Sequence, residues 1–381
     1  MGASQDLEGI PAESIHLVVT SPPYPMISMW DEVFSRQNPQ IGAALRDLQG
    51  KQAYELMHTE LDQVWSRLDS LLVPGGIVCI NIGDATRTLG QEFGLYPNHA
   101  RIIQSFLARG FVNLPNILWR KPTNAPTKYM GSGMLPPGAY VTLEHEWILI
   151  FRKGGKRAFP EEKDRINRQR SAYFWEERNS WFSDCWDLKG IRQNWGVREA
   201  RDRSAAFPFI LPYRLIQMFS ISGDRVMDPF LGTATTSLAA MVSERNSIGV
   251  EVEERLRSLI RERIGLPDLE EAGRLIDDRI DQHRQFVADY SARGKEFKHY
   301  NAKLNLPVMT SQEKQLDFSF LTNVHEISEM EFEASHADRE NWIRETGRSS
   351  SASLGFFPSP KEAKSNLIED ISASDQKPAN C

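Results

Sequence analysis

The chain has 381 residues, with 45 Lys and Arg against 51 Asp and Glu and a net charge of −6, a length that buries one large α/β core or one core plus a smaller appended domain. No apolar run approaches the roughly 20 residues needed to span a bilayer, and the first residues lack the pattern of a secretory signal, so a soluble, cytoplasmic protein is expected. Cys79, Cys185 and Cys381 are widely separated and form no CxxC pair, which argues against a disulfide framework and a zinc site and predicts no metal.

Residues 15–20 (IHLVVT) are a β-branched run that reads as a buried strand ending at a Ser-Pro-Pro turn. Leu56, Leu61, Val64, Leu68, Leu71 and Leu72 recur at helical spacing over 52–72, and Pro74-Gly75-Gly76 stops that helix. IVCINIG (77–83) is a second apolar strand. A helix near 99–109, a strand over 111–119, a Pro/Gly-rich loop over 121–140 and a strand at 144–153 follow. Such alternation predicts a mostly parallel sheet covered on both faces.

The stretch 152–203 breaks this rhythm. It is irregular and aromatic, and carries fourteen Lys/Arg against nine Asp/Glu between Arg152 and Arg203. A local excess of that kind steers a polyanion even when the whole chain is acidic. A solvated surface subdomain is the plainer reading, which the clustered tryptophans Trp175, Trp181, Trp186 and Trp195 disfavour. Arg165, Arg168, Arg170 and Arg192 are candidates for reading guanine edges, and Lys128 is a further candidate DNA contact.

Periodicity returns at 212–220, followed by a strand at 225–230, a helix from about Thr235 and a strand at 247–253. Apolar positions from Leu269 to Tyr290 mark an amphipathic helix that docks back or mediates association, leaving monomer and homodimer both open. After about 340 the chain turns polar, and a disordered tail is expected. The organisation read here is 1–151 and 204–265 as the two halves of one domain, 152–203 as an insert, 266–340 as a helical extension and 341–381 as a tail.

Two constellations carry chemistry. Thr20-Ser21-Pro22-Pro23-Tyr24 closes a buried strand, where open α/β sheets bind ligands. The Ser21 hydroxyl and the Pro22 carbonyl can accept hydrogen bonds from a primary amine, and Tyr24 offers a face for a base to stack on. A proline-stiffened turn with a packed tyrosine explains the same residues. In Asp228-Pro229-Phe230-Leu231-Gly232-Thr233-Ala234-Thr235-Thr236, Gly232 allows close ligand approach, and Thr235 and Thr236 can cap a helix. Asp228 suits a cationic amino group and Phe230 a heterocycle. The absence of GK[ST] and of GxGxxG excludes a phosphate loop. Glu251, at the end of the next strand, suits two ribose hydroxyls or is simply a strand-end charge.

In their order along residues 2 to about 264, these motifs resemble the amino-methylating DNA methyltransferases of the permuted β group. The resemblance implies a Rossmann-like fold binding S-adenosylmethionine, with circularly permuted motif order and 152–203 as target-recognition region. It assigns the cofactor to Asp228, Pro229, Phe230, Gly232, Thr235, Thr236 and Glu251, with Pro208 in a helix at 208–217 beside the methionine moiety. It assigns a flipped base in duplex DNA to Ser21, Pro22, Pro23 and Tyr24. Serine in the first motif position favours N4 of cytosine over N6 of adenine, and a restriction endonuclease is implied as a functional partner without a stable complex. Relatives often have glycine where Ala234 stands and an acidic residue near the start where this chain has Gly2-Ala3-Ser4, so that either the chain starts late, or Asp6 or a later segment meets the cofactor adenine. Protein-glutamine and RNA methyltransferases usually place the cofactor motif first, and a non-catalytic DNA-binding module would not need either motif.

Overall fold

The run Ile15–Thr20 forms β1, five of whose six residues are buried, because it lies mid-sheet with helices on both faces. The computed structural model describes residues 2, 4–7, 9–121, 130–188 and 207–346. The other strands of the central sheet are β2 (Leu72–Ile82), β3 (Val112–Asn113), β4 (Ile117–Arg120), β5 (His145–Arg152), β6 (Cys185–Asp187), β7 (Arg225–Asp228) and β8 (Asn246–Gly249). Their order is β6-β4-β5-β2-β1-β7-β8, with β3 also pairing β5. Only β5 runs against the rest: it is antiparallel to β2, β3 and β4.

Alternate residues serve opposite faces. Val18, Val78 and Ile80 enter one core, covered by α1 (Gly50–Leu71) and α2 (Asn98–Ala108). Leu17, Val19 and Cys79 enter the other, under α3 (Ile210–Phe219), α4 (Thr235–Val242), α5 (Arg257–Gly265) and α6 (Leu269–Ala292). The sheet is therefore a mostly parallel, doubly covered α/β sheet.

Several elements differ from expectation. The strand over 111–119 breaks into β3 and β4 around Pro115, which has no amide hydrogen to give the ladder. Side chains mend the gap: Asn113 Nδ2 donates to the Ile150 carbonyl at 2.9 Å, and Asn116 Oδ1 accepts from the Ile150 amide at 3.0 Å. The insert is not irregular throughout, since it holds helices Glu162–Arg170 and Trp175–Trp181 and strand β6. The extension is not all helical, because α6 is followed by hairpins His299–Asn301/Leu306–Val308 and Phe320–Ser328/Glu331–Ala337. Folded chain continues past 340 through Arg339–Thr346, whose Trp342 is buried against Gly273. Residues 347–381 lie outside the described residues.

One buried ion pair fastens the extension to the insert. Arg279 of α6 donates to Glu177 Oε1 at 2.5 Å, to Glu177 Oε2 at 2.8 Å and to the Tyr213 hydroxyl at 3.1 Å. Its guanidinium also lies 4.7 Å from the Phe318 ring centroid and 5.1 Å from that of Trp181. Removing one partner of a buried pair strands the other charge, which costs about 3–5 kcal/mol. Arg279→Met is expected to lower unfolding free energy by that order in urea titrations. Ala234, before α4, sits at φ +64°. The left-handed region costs an ordinary residue ~1–2 kcal/mol, more than the ~0.5–1 kcal/mol entropic cost of glycine. Ala234→Gly is therefore expected to raise the urea midpoint without changing the slope.

Candidate active site

The chain leaves β1 for β2 through α1 on one face and leaves β7 for β8 through α4 on the other. The neighbouring carboxyl ends of β1 and β7 thus flank a crevice, the switch point at which open α/β sheets bind ligands. Thr20 Oγ1 donates to Asp228 Oδ1 across it at 2.6 Å, with both residues buried. A cavity of about 690 Å³ opens beside this bond. Ser21, Pro22, Pro23 and Tyr24 line it from β1, Asp228, Phe230, Gly232 and Thr235 from the β7–α4 turn, and Glu251 from beyond β8.

On the β7 side, burial pushes the Asp228 carboxyl up to about 6, against the hydrogen bonds from Thr20 and the Phe230 amide that favour its charged form. A cation placed beside it would favour that charged form further. Gly232 turns the chain at φ +53°, and its amide donates to Glu251 Oε2 at 2.7 Å, while Glu251 Oε1 accepts from the Glu253 amide at 2.8 Å. These bonds use two of the roughly four acceptor sites of a carboxylate, and two hydroxyl donors suit the others. Phe230 packs edge-on against Trp65 at 6.0 Å and lines the cavity. A carboxylate for a cation, a carboxylate for a diol and an aromatic wall fit S-adenosylmethionine.

On the β1 side, Tyr24 is held at its tip. Its hydroxyl accepts from Ser21 Oγ at 3.2 Å and from Asn81 Nδ2 at 2.8 Å, and donates to Glu146 Oε2 at 2.9 Å. Burial first, and the Glu146 carboxylate second, raise its ionisation well above the usual phenol range. Gly83 lets the ring approach, since a Cβ there would lie 3.0 Å from Tyr24 Cε2. Buried Asn98 staples the next turn, donating to the Pro25 carbonyl at 3.1 Å and the Gly83 carbonyl at 2.9 Å.

Thr236 Oγ1 donates to the Val19 carbonyl at 3.2 Å and so ties α4 to β1. Neither Thr235 nor Thr236 caps α4, because the cap position is Ala234. Pro229 offers its carbonyl to Ser4 Oγ at 2.6 Å. The expected 208–217 helix is α3; Phe207 lines the cavity, while the Pro208 carbonyl accepts from the Leu211 amide at 3.0 Å. Ser4 lines the cavity and Asp6 is exposed.

Arg165, Arg168 and Arg170 lie away from the cavity. Their helix packs where the parallel strands begin, the edge opposite the cavity: Asn167 Nδ2 donates to the Ser222 carbonyl, and Arg157 pairs with Asp224 just before β7. Arg165 donates to the Phe159 and Pro160 carbonyls, Arg168 covers the Phe159 ring at 4.8 Å, and Arg170 lies 3.7 Å from Asp317 and 3.9 Å from Glu244. Charge counting located an excess without showing how much of it is paired within the fold. Lys128 and Arg192 lie outside the described residues. Glu146, Lys121 and Asn81 were missed, because single polar residues in or beside apolar strands carry no local pattern.

Comparison with known proteins agrees with this geometry. A DNA methylase family model covering N6 and N4 enzymes matches residues 15–262. The Type II methyltransferase M.MthZI of Methanothermobacter thermautotrophicus is 50% identical over 332 residues, 87% of this chain and 92% of that protein. The Type II methyltransferase M.MjaI of Methanocaldococcus jannaschii is 50% identical over 276 residues, 70% of this chain and 90% of its own. A candidate DNA modification methylase of Thermus thermophilus, solved with S-adenosyl-L-methionine, superposes with a TM-score of 0.53 at 34% identity, covering 69% of this chain and 92% of that one. No helix among the described residues is long and apolar enough to cross a membrane. The chain belongs to the N6/N4 DNA methylase family and is an S-adenosylmethionine-dependent DNA methyltransferase.

Proposed function

We propose that this chain methylates the exocyclic N4 amine of cytosine in duplex DNA, as the modification enzyme of a restriction system, in the permuted β-group arrangement. The observation that carries this reading is the shared cavity: a hydroxyl beside a stackable ring on one wall, and two carboxylates beside an aromatic on the other. The motif order, with Ser21 ahead of Asp228, supports the permuted assignment, and serine in place of an acidic residue supports cytosine. The Type II names of the relatives support the restriction setting.

S-adenosylmethionine supplies an electrophilic methyl group on a sulfonium. Asp228 takes its amino group, Glu251 its ribose hydroxyls and Phe230 its flat ring. Ser21 Oγ and the Pro22 carbonyl accept the two hydrogens of the target amine, drawing its lone pair out of the ring. Tyr24, braced by Asn81 and Glu146, stacks on the extruded base and offsets part of the few kcal/mol that extrusion costs. Alignment of amine and methyl in one cavity supplies the remainder. Lys121 and Phe207 line the cavity, and Lys128 and Arg192 remain candidate DNA contacts from the sequence.

The test is label transfer from tritiated S-adenosylmethionine to genomic DNA followed by nucleoside analysis. Label in N4-methyldeoxycytidine is expected, and Ser21→Ala is expected to cut it at least about 10²-fold. Label in N6-methyldeoxyadenosine would overturn the base assignment alone. No label with cofactor binding intact would support a non-catalytic DNA-binding protein.

Burial raises Asp228 to about 6, and a bound cation favours its ionised form. Cofactor binding therefore releases a proton, and affinity should fall as pH drops below about 6. Asp228→Asn should bind more weakly at neutral pH and lose this dependence, as calorimetric titration between pH 5 and 8 would show.

A further inference from the structure

Methylating an amine leaves a proton to remove, and a neutral serine cannot keep it. The fold sets a carboxylate two hydrogen bonds away. Ser21 Oγ donates to Tyr24 OH at 3.2 Å, and Tyr24 OH donates to Glu146 Oε2 at 2.9 Å. The donor inventory gives this chain a direction. A phenol has one hydrogen and two acceptor sites. Ser21 and Asn81 Nδ2, at 2.8 Å, fill both acceptor sites, so the single phenolic hydrogen points to Glu146. Asn81 Nδ2 also donates to Glu146 Oε2 at 2.7 Å, which fixes the carboxylate against the ring. Ser21 gives its hydrogen to Tyr24 and so presents lone pairs to the cavity.

We propose that Glu146 is the terminal proton acceptor of methyl transfer, reached through Ser21 and Tyr24. This rests on the amino-methylation reading above. The target nitrogen uses its lone pair to form the N–C bond to the methyl group, the C–S bond breaks, and its electron pair passes to sulfur. One N–H hydrogen passes to Ser21 Oγ as the serine proton passes to Tyr24 OH and the phenol proton to Glu146 Oε2. The products are a neutral methylated amine, a thioether and a protonated carboxyl, while both hydroxyls are regenerated. Because Glu146 acts through Ser21 and Tyr24, it is a positioning residue.

The charged and titratable groups facing Glu146 among the described residues are few. β4 is followed by Lys121, whose ammonium pairs with Glu146 Oε1 and is 42% exposed, which brings the carboxylate close to solvent. The turn after β1 brings Tyr24, and β2 with the residue following it brings the Asn81 amide and Gly83.

The test is single-turnover methyl transfer to a duplex across pH 5–9, with S-adenosylmethionine saturating at every pH so that the Asp228 dependence of affinity does not enter the profile, and with cofactor affinity and melting temperature measured in parallel. Glu146→Gln can still accept from Tyr24 but cannot take a proton. It should react about 10²-fold more slowly at neutral pH, with affinity and melting unchanged and the acid limb of the wild-type profile gone. Glu146→Asp should keep that limb. Tyr24→Phe cuts the chain in the middle while keeping an aromatic face, and the double variant should lose no more than either single. A Glu146→Gln enzyme at the wild-type rate with its acid limb intact would overturn the proposal, as would losses that multiply in the double variant. If Glu146→Gln melts early, Tyr24→Phe decides: an intact acid limb overturns the relay, and a lost one supports it. A relay failure still yields amino-methylated nucleoside, whereas wild-type enzyme yielding none overturns the reading beneath it.

Discussion

A buried hydrogen bond between residues 208 positions apart, Thr20 Oγ1 to Asp228 Oδ1, joins the two halves of the site. It closes a register set lower in the sheet, where Leu17 pairs Val226 and Val18 pairs Met227. A one-residue slip would turn every side chain of β1 to the other face, breaking both cores and moving Ser21 away from Asp228. Core packing and site geometry are thus the same constraint. Thr236 repeats it from above, bonding the first turn of α4 to the Val19 carbonyl, so that strand, turn and helix meet at one point.

The β7 wall and the β1 wall of the cavity are built differently. Around Gly232 and Glu251 the backbone does the holding: a positive-φ glycine and two amides fix the carboxylate. Around Tyr24 the holding falls to side chains from β2, β5 and the end of β4, which converge from segments distant in sequence. The first arrangement can be recognised in a contiguous stretch of residues, and the second cannot.

That difference explains what was legible. Continuous apolar runs at 15–20 and 77–82 belong to strands buried on both faces, and they announce a parallel sheet by composition alone. DPFLGTATT couples an acid, a glycine and a helix start within nine residues, so its role is local. Glu146, Asn81, Lys121 and Asn98 act only through partners at sequence distances of 15 to 122 residues. The placement of the arginines at 165–170 was hidden for a related reason, since they are engaged with carbonyls, a ring and carboxylates on the far edge of the sheet. Trp342 in a polar stretch was a sign that folded chain continued, and burial against Gly273 accounts for it.

The central claim, that the two motifs form one coupled site through Thr20 and Asp228, is tested most directly by a double-mutant cycle on cofactor affinity. Thr20→Val, Asp228→Asn and the double variant are titrated with S-adenosylmethionine at pH 7.5. A hydrogen bond to a charged group contributes about 1.5–3 kcal/mol, so a coupling energy of about 1 kcal/mol or more is expected, with the double variant no worse than Asp228→Asn. Additive losses would contradict it, because the two halves would then bind the cofactor independently.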